Sequence, residues 1–194
     1  MFLYTKENAL SPELCRAFID TFEASDDKKP GVLYGPDGHS SDTGKKSTDI
    51  TFNPGYLSNP TWGPLLAPLV SIVEREQMNY TNRHQQALTN LDPFRLDSHF
   101  NMQKYDPNGG FFQWHCERAS LGYLNRVLVW MVYLNTVTDR GETEFYYQHH
   151  FEQPVQGKLV MWPSDWTYLH RGISSPTQTK YILTGWLSHY NDQK

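Results

Sequence analysis

The sequence predicts a mainly β fold with flanking helices, an antiparallel sandwich or jelly roll supported by two or more N-terminal helices. After residue 94, short apolar or alternating runs follow one another with turn residues between them and no helical pattern. Many short strands without intervening helices are typical of sandwiches and jelly rolls. Before residue 94, apolar residues recur at helical spacing instead.

The domain organisation follows from length. A chain of 194 residues can bury one sizeable core, and no internal repeat or low-complexity linker divides it. We therefore expect a single domain over residues 1–194, with helical support in residues 1–93 and the jelly-roll core in residues 94–190.

Charge and cysteine content exclude several classes of protein. The 17 basic and 21 acidic residues give a net charge of −4, which lacks the positive field needed to bind nucleic acid or anionic lipid. Two cysteines are too few for a disulfide framework. The N-terminus has no basic region followed by an apolar run, and no segment approaches the roughly 20 apolar residues of a membrane span. We expect a soluble, cytoplasmic protein without a nucleic-acid or membrane partner.

The helical signals lie early in the chain. Ser11 before Pro12 is a helix start, because a capping side chain precedes a residue that needs no hydrogen-bond donor. The apolar face of this helix contains Leu14, Phe18 and Phe22. A second helix is expected to begin near Pro64 or Pro68 and to bury Leu65, Leu69, Ile72 and Val73.

Residues 25–47 separate the two helices and contain four glycines and two prolines. Such a composition supplies little core, so we expect a long, mobile surface loop, which serves either as a lid or binding loop or is disordered. The expected strands beyond it cover residues 94–102, 111–115, 126–134, 142–147, 157–162 and 180–190.

The run FFQWHCERA contains the first candidate site. On a strand, His115 and Glu117 project to the same face and offer two ligands to one metal, whereas Cys116 points away. The alternative for an isolated pair of this kind is a simple His–Glu hydrogen bond on a sheet surface.

His170 is the candidate third ligand, and Lys180 the candidate anion-binding residue. Two histidines and one carboxylate suit non-haem Fe(II), although zinc is also held by such sets. A lysine that opens an apolar strand is an awkward core residue unless it meets a carboxylate, which a bound organic acid would provide. The alternative for Lys180 is a side chain that extends from the strand end to water.

Residues 100–190 resemble the catalytic domain of the prolyl 4-hydroxylase group of Fe(II)- and 2-oxoglutarate-dependent dioxygenases, which have the double-stranded β-helix, a cupin-like jelly roll. The family's iron motif is similar to His115, Glu117 and His170. Its basic residue on the last strand falls on Lys180, and its tryptophan six positions later on Trp186.

Further matches extend the resemblance. Tyr105 lies ten positions before the first iron histidine, and Tyr133 begins the family's Tyr-Leu-Asn segment. Residues 141–145 approximate its Gly-Gly-x-Thr-x-Phe segment, while residues 10–19 and 45–48 resemble its first helix and the end of its substrate loop. The resemblance implies that Lys180 and Tyr133 hold the distal carboxylate of 2-oxoglutarate, and it adds Tyr105 and Trp186 to the cosubstrate site.

The activity implied by the resemblance is hydroxylation of an unactivated C–H bond with O2, succinate and CO2 being released from 2-oxoglutarate. The expected substrate is a prolyl residue in a peptide or protein, and ascorbate binding is a further implication. Two alternatives stay open: a hydroxylase of a free amino acid or other small molecule, and a catalytically inactive jelly-roll binding module.

Two departures from the family pattern are visible. Glu117 replaces its aspartate, and we expect an aspartate at this position to bind iron at least as well; because an acid is retained, a hydroxylase is favoured over a halogenase. Arg140 replaces the first glycine of Gly-Gly beside the substrate entrance.

The aromatic residues fall into two groups. We expect tryptophans on the strands to form core or cavity wall; these are Trp114, Trp130, Trp162 and Trp186. Aromatic residues near loop edges are candidates to line a peptide groove; these are Tyr146, Tyr147, Trp166 and Tyr168. The sequence does not decide whether Arg171 contacts substrate or is solvated.

Overall fold

The structure is a computed structural model, which describes residues 1–33 and 44–190. Three α-helices lie in the first half of the chain: α1 (Pro12–Ala24), α2 (Gly63–Arg83) and the short α3 (Gln85–Leu88). The strands are β1 (Tyr4–Lys6), β2 (Lys29–Pro30), β3 (Lys45–Lys46), β4 (Thr48–Phe52), β5 (Phe94–Tyr105), β6 (Gly110–Phe111), β7 (Arg126–Tyr133), β8 (Thr143–Phe145), β9 (His150–Glu152), β10 (Leu159–Pro163), β11 (His170–Gly172) and β12 (Lys180–His189).

The strands form two main antiparallel sheets. The large sheet has seven strands in the order β1-β10-β7-β12-β5-β4-β2, and the small sheet has three in the order β11-β8-β9. Strands β3 and β6 form a separate pair. The predicted jelly roll with flanking helices is confirmed.

The large sheet buries both of its faces, and β7 shows how. Leu128, Trp130 and Val132 pack with α1 and α2 in one core cluster. Val129, Met131 and Tyr133 pack in a second cluster with Phe145 of the small sheet. Because successive strand residues point to opposite faces, the helices cover one face and the small sheet covers the other.

Helix α1 forms as its sequence predicts. The Ser11 hydroxyl accepts a hydrogen bond from the Leu14 amide at 3.2 Å, and Pro12 occupies the first turn. Cys15, Phe18 and Phe22 are fully buried on its inner side. Helix α2 begins at Gly63, next to the predicted Pro64, and keeps Pro68 within its first turns.

Three details differ from the sequence analysis. Four short strands, β1 to β4, precede residue 94, and three of them extend the large sheet at its edges. The predicted strand over residues 111–115 is wrong beyond Phe111, since His115 makes only an isolated bridge. Strand β8 ends at Phe145, where a turn begins.

The predicted loop 25–47 is only partly visible in the described residues. Strands β2 and β3 lie near its two ends. Residues 34–43 lie outside the described part of the chain, so the role of the 25–47 loop as a lid stays a prediction.

No helix in the described segments is long and apolar enough to cross a bilayer. Cys15 and Cys116 are both free.

The absence of a side chain at Gly185 leaves room for Phe100 and Trp130, which yields a stability prediction. A Cβ at this position would lie 2.6 Å from the Phe100 Cβ and 2.9 Å from the Trp130 ring. We expect Gly185→Ala to destabilise the fold by about 1–3 kcal/mol through overpacking. Gly122→Ala is the control, because nothing lies within 4 Å of its Cβ position. Urea denaturation of both variants tests this, and equal midpoints would contradict it.

Candidate active site

A pair of backbone hydrogen bonds brings the two candidate histidine ligands together. The His115 amide donates to the His170 carbonyl at 3.0 Å, and the His170 amide donates to the His115 carbonyl at 2.9 Å. The imidazole centroids are 4.2 Å apart. Strand β11, which begins at His170, is fixed in turn by its pairing with β8.

The orientation of both imidazoles suits metal binding. The Nδ1 atom of His115 lies 2.9 Å from the Gln113 carbonyl oxygen, and that of His170 lies 2.9 Å from the Tyr168 carbonyl oxygen. A carbonyl accepts only from a protonated nitrogen, so each Nδ1 carries the hydrogen and each Nε2 keeps a free lone pair.

Glu117 completes the set of ligand atoms. Its Oε1 lies 3.5 Å from the His115 Nε2 and 3.7 Å from the His170 Nε2. One ligand atom from each of the three residues lies within 4.8 Å of the others. Two imidazole nitrogens and one carboxylate oxygen that converge in this way fit the donor set of a non-haem Fe(II) centre.

A turn, not strand alternation, directs Glu117 toward the histidines. The amides of Glu117 and Arg118 both donate to the Ser164 carbonyl at 3.0 Å. The Glu117 Oε2 accepts hydrogen bonds from the Trp186 indole at 2.9 Å and from the Arg126 guanidinium at 3.3 Å. The two side chains do approach each other, as predicted. The predicted reason, a shared strand face, is wrong, because Glu117 lies in a turn.

The protonation states favour ligand binding at neutral pH. Burial acts to raise the pKa of Glu117, but the close side-chain contact with His115 and the electrostatic effects of His115, His170 and Arg126 outweigh it and lower this pKa to about 2. Burial and the neighbouring His115 lower the pKa of His170 to about 3. At pH 7 the carboxylate is charged and His170 is neutral, which are the forms that bind a metal.

A cavity between the two sheets extends from the two histidines to Lys180. Its walls combine apolar side chains with a few polar groups. The lining residues are Gln103, Tyr105, Phe111, His115, Met131, Thr143, Trp162, His170, Gly172, Lys180, Ile182 and Thr184.

Lys180 is the only charged lysine or arginine among the lining residues of this cavity in the described structure. It is 5% exposed. Its ammonium donates to the Gly141 carbonyl at 2.7 Å and lies 5.3 Å from the Tyr105 ring centroid. Within the described residues, no carboxylate lies within 4 Å of this ammonium, and burial lowers its pKa to about 8. A buried cation without a counter-ion is suited to an organic acid, and the alternative of a side chain extending into water does not hold.

The other predicted cofactor residues occupy different positions. Tyr105 lines the cavity, and its hydroxyl donates to the Gln103 Oε1 at 2.6 Å. The Tyr133 hydroxyl is buried behind the cavity wall, 2.7 Å from the Thr143 hydroxyl, which does line the cavity. Trp186 contacts Glu117 and is not a lining residue. The cosubstrate roles of these residues stay predictions.

The turn at residues 140–141 shapes the site at Lys180. Arg140 has a φ of 63° and Gly141 a φ of 88°, so Arg140 adopts the left-handed conformation that a glycine takes at lower cost. A Cβ on Gly141 would lie 2.8 Å from Val137. The turn directs the Gly141 carbonyl at the Lys180 ammonium.

Sequence reasoning missed Arg126, Ser164, Gln103 and Thr143. Arg126 carried a usable signal, since it opens an apolar strand as Lys180 does. Thr143 lies within the family-like segment 141–145 but was assigned no role. Ser164 and Gln103 are polar residues of ordinary pattern, and only the folded chain brings them to the site.

Aromatic side chains border the metal site on its outer side. Phe111 stacks on the His115 ring with centroids 3.7 Å apart. Trp114 packs edge-on against Tyr146 at 5.1 Å and lies below the Arg171 guanidinium at 4.5 Å. Tyr146 and Tyr147 are 51% and 55% exposed. Of the candidate groove residues, Trp166 is exposed, whereas Tyr168 is buried and its hydroxyl accepts from the Phe2 amide.

Comparison with known proteins agrees with this geometry. Residues 100–188 match the family model described as the 2OG-Fe(II) oxygenase superfamily. No curated protein sequence matches the chain. The matched segment contains His115, Glu117, His170 and Lys180, so all four central residues lie within the family's domain.

Solved structures with the same fold span nearly the whole chain. A viral collagen prolyl hydroxylase from Paramecium bursaria Chlorella virus-1, in complex with 2OG, is 15% identical over 98% of this chain and 97% of its own, with a TM-score of 0.69. A Pseudomonas putida prolyl-4-hydroxylase is 18% identical over 97% and 93%, with a TM-score of 0.70. A Trichoplax adhaerens prolyl hydroxylase, in complex with a hypoxia inducible factor peptide fragment, is 14% identical over 96% and 83%, with a TM-score of 0.77.

Fold and site together define a metal-dependent oxygenase of the jelly-roll class. Residues 100–188 match the 2OG-Fe(II) oxygenase superfamily, and this match together with the shared fold supports an oxygenase. The cofactors of this superfamily are Fe(II) and 2-oxoglutarate. The predictions of family, enzyme class and cofactors are confirmed.

Removal of His170 tests the metal centre. We expect His170→Ala to weaken Fe(II) binding by more than about 100-fold, because loss of a ligand exceeds the 10–100-fold effect of an outer-shell partner. Anaerobic calorimetry measures this. His99→Ala is the control, since His99 is an exposed histidine whose ring contacts Ser98. Equal affinity of the His170 variant and the control would remove His170 from the site.

Lys180 gives a prediction about pH. Because its pKa is lowered to about 8, we expect the affinity for 2-oxoglutarate to fall about tenfold per pH unit above that value, as the ammonium loses its proton. Lys180→Arg keeps its charge throughout this range and should remove the dependence. The measurement is 2-oxoglutarate binding to the Fe(II) protein between pH 7 and 9.5. The same slope in both proteins would assign the dependence to another group.

Proposed function

We propose that this oxygenase hydroxylates a prolyl residue in a peptide or protein. The observation that carries the reaction type is the single cavity that joins His115 and His170 to a buried lysine without a counter-ion. The peptide substrate is supported by the prolyl hydroxylases that share the fold and by exposed aromatic side chains beside the metal ligands.

Each residue of the site has a definite task in this proposal. The Nε2 atoms of His115 and His170 and the Oε1 of Glu117 would hold Fe(II). Lys180 would bind the distal carboxylate of 2-oxoglutarate as a charge-assisted pair. When bound, Fe(II) with 2-oxoglutarate and O2 supplies the oxidation that converts a C–H to a C–OH bond, with succinate and CO2 as the other products.

The surrounding residues orient the side chains of the site and exclude water from it. Met131, Trp162 and Ile182 form an apolar wall that keeps water from the cosubstrate pocket. Phe111 covers one face of the His115 ring and restricts its rotation. Thr143 presents a hydroxyl at the cavity wall, which Tyr133 holds from behind.

The peptide proposal depends on the aromatic surface beside His115. Trp114, Tyr146 and Tyr147 form consecutive edge-to-face contacts there. Proline-rich segments dock on exposed aromatic rings, because their extended backbone is already ordered and offers flat apolar faces. A small-molecule hydroxylase would not need these exposed rings, and an inactive binding module would not need Lys180.

Substrate screening tests the proposal. We expect proline-rich peptides to stimulate succinate release from 2-oxoglutarate by the Fe(II) enzyme, and free proline to do so weakly. Paired reactions with and without ascorbate test whether the enzyme needs it. Stimulation by free amino acids alone would establish the small-molecule alternative, and failure to bind Fe(II) and 2-oxoglutarate would establish the inactive module.

Loss of the aromatic surface should act on the peptide specifically. We expect Tyr146→Ala to raise the peptide KM by about fivefold to 30-fold, equivalent to the 1–2 kcal/mol of a contributing interface residue. The affinity for 2-oxoglutarate should not change. Met78→Ala, an exposed side chain on α2, is the control. An unchanged peptide KM in the Tyr146 variant would place the peptide elsewhere.

The cytoplasmic location and the single-domain organisation also stay predictions. The first is supported by the two free cysteines. The second is supported by a large sheet that contains strands from both ends of the chain, β1 and β12.

A further inference from the structure

We propose that Arg126 and Trp186 are positioning residues that together clamp the Oε2 atom of Glu117, so that the metal is offered Oε1 alone and the site requires glutamate rather than aspartate. The inference rests on the metal-binding role of Glu117 in the proposed function. It concerns side chains of this chain that act through Glu117 and do not touch substrate.

The position of the Arg126 side chain is fixed by aromatic contacts in addition to its contact with Glu117. Its guanidinium carbon lies 3.5 Å from the centroid of the Trp186 ring and 4.0 Å from that of Tyr123. Only 12% of the Arg126 side chain is exposed. A planar cation between two aromatic rings is restrained in position and orientation, and it keeps its charge over the whole accessible pH range.

Two different donors occupy the same oxygen of Glu117. The Trp186 indole donates to Oε2 at 2.9 Å, and the Arg126 Nη1 donates to Oε2 at 3.3 Å. Oε1 instead faces the Nε2 atoms of His115 and His170, at 3.5 Å and 3.7 Å. The carboxylate therefore has one oxygen committed to the protein and one that faces both Nε2 atoms.

The backbone of Glu117 is tied to the same arginine. Arg126 Nη1 also donates to the Glu117 carbonyl at 3.1 Å. Ser164 accepts from the Glu117 amide and donates its hydroxyl to the Arg126 carbonyl at 2.7 Å. This closed set of contacts fixes the distance between the Glu117 backbone and the clamp.

The length of the acidic side chain follows from that distance. Aspartate is shorter by one C–C bond, about 1.5 Å. With the backbone held by Ser164 and Arg126, an aspartate has to give up either the clamp or the approach to the histidines. This reverses the expectation from sequence that aspartate would bind iron at least as well.

The test measures metal binding, not turnover. Anaerobic Co(II) titration of the full chain reports affinity, and the visible Co(II) spectrum reports ligand geometry. We expect Arg126→Met and Trp186→Phe each to weaken Co(II) binding by about 10–100-fold, the effect of a partner that orients a metal ligand, and to change the spectrum. Arg126→Lys should not restore affinity, because an ammonium lacks the planar fork that stacks and bonds at once.

A double-variant cycle separates positioning from general damage. Glu117→Asp should weaken Co(II) binding in the wild-type background, and this loss should shrink when Trp186→Phe is already present, because the clamp is already broken. Arg75→Met is the matched control, since it removes an arginine that pairs with Glu76 on α2, away from the site. Its Co(II) affinity should equal that of the wild type.

The outcomes distinguish this inference from the proposed function. Unchanged Co(II) affinity and spectrum in a folded Trp186→Phe protein, or wild-type affinity in Glu117→Asp, would overturn the clamp. Failure of wild type to bind Co(II) would overturn both proposals. Clamp-dependent Co(II) binding without any peptide turnover would support the clamp and reject the peptide substrate alone. If Arg126→Met does not fold, Trp186→Phe, which keeps an aromatic ring beside the arginine, decides the question.

Discussion

The backbone bridge between His115 and His170 is the interaction on which the active site depends. Two reciprocal amide-to-carbonyl hydrogen bonds join segments that are far apart in sequence. Each segment is held by a different part of the fold, His170 by the pairing of β11 with β8 and residue 111 by the pairing of β6 with β3. Glu117, the third candidate ligand, is held by Arg126 of β7 and Trp186 of β12 in the large sheet. The three ligands therefore meet only when the small sheet and the β3–β6 pair are packed against the large sheet.

The site contains two buried cations, and they differ in whether the protein supplies a counter-ion. Arg126 has its counter-ion within the protein, since Glu117 lies beside it. Lys180 contacts the Gly141 carbonyl and the Tyr105 ring, and the charge of Glu142 acts on it only from beyond salt-bridge distance. A buried charge without a counter-ion is costly, and the cosubstrate carboxylate removes that cost. The fold thus keeps one charge pair complete and leaves the other to be completed by the ligand.

Local patterns predicted much of the fold. The Ser11–Pro12 start and apolar face of α1 and the apolar run of β7 depend on neighbouring residues, and both elements form as expected. The short strands β1 to β4 were missed because two to five residues carry little periodic signal. Their pairing stabilises them: β1 pairs with β10, β4 with β5, β2 with β4 and β3 with β6. The sequence also indicated the metal-binding and anion-binding residues, because metal ligands and buried charges need particular residue types. These residues are His115, Glu117, His170 and Lys180.

The arrangement around those residues could not be read from sequence. Glu117 reaches the histidines from a turn whose conformation is set by Arg126, nine residues later, and by Ser164, which is distant in the chain. Trp186 was expected at the cosubstrate and instead contacts Glu117, and the Tyr133 hydroxyl contacts Thr143 rather than the cavity. These contacts depend on packing between segments that are separated in the sequence, so no local sequence pattern predicts them.

The most direct measurement is the visible absorption of the metal-free protein during anaerobic addition of Fe(II) and then 2-oxoglutarate. The account predicts that a charge-transfer band of the chelated cosubstrate grows to saturation at one equivalent of Fe(II), and that Lys180→Met needs far more 2-oxoglutarate to produce it. Saturation of the band at the same 2-oxoglutarate concentration in both proteins, or no band despite bound Fe(II), would contradict the account.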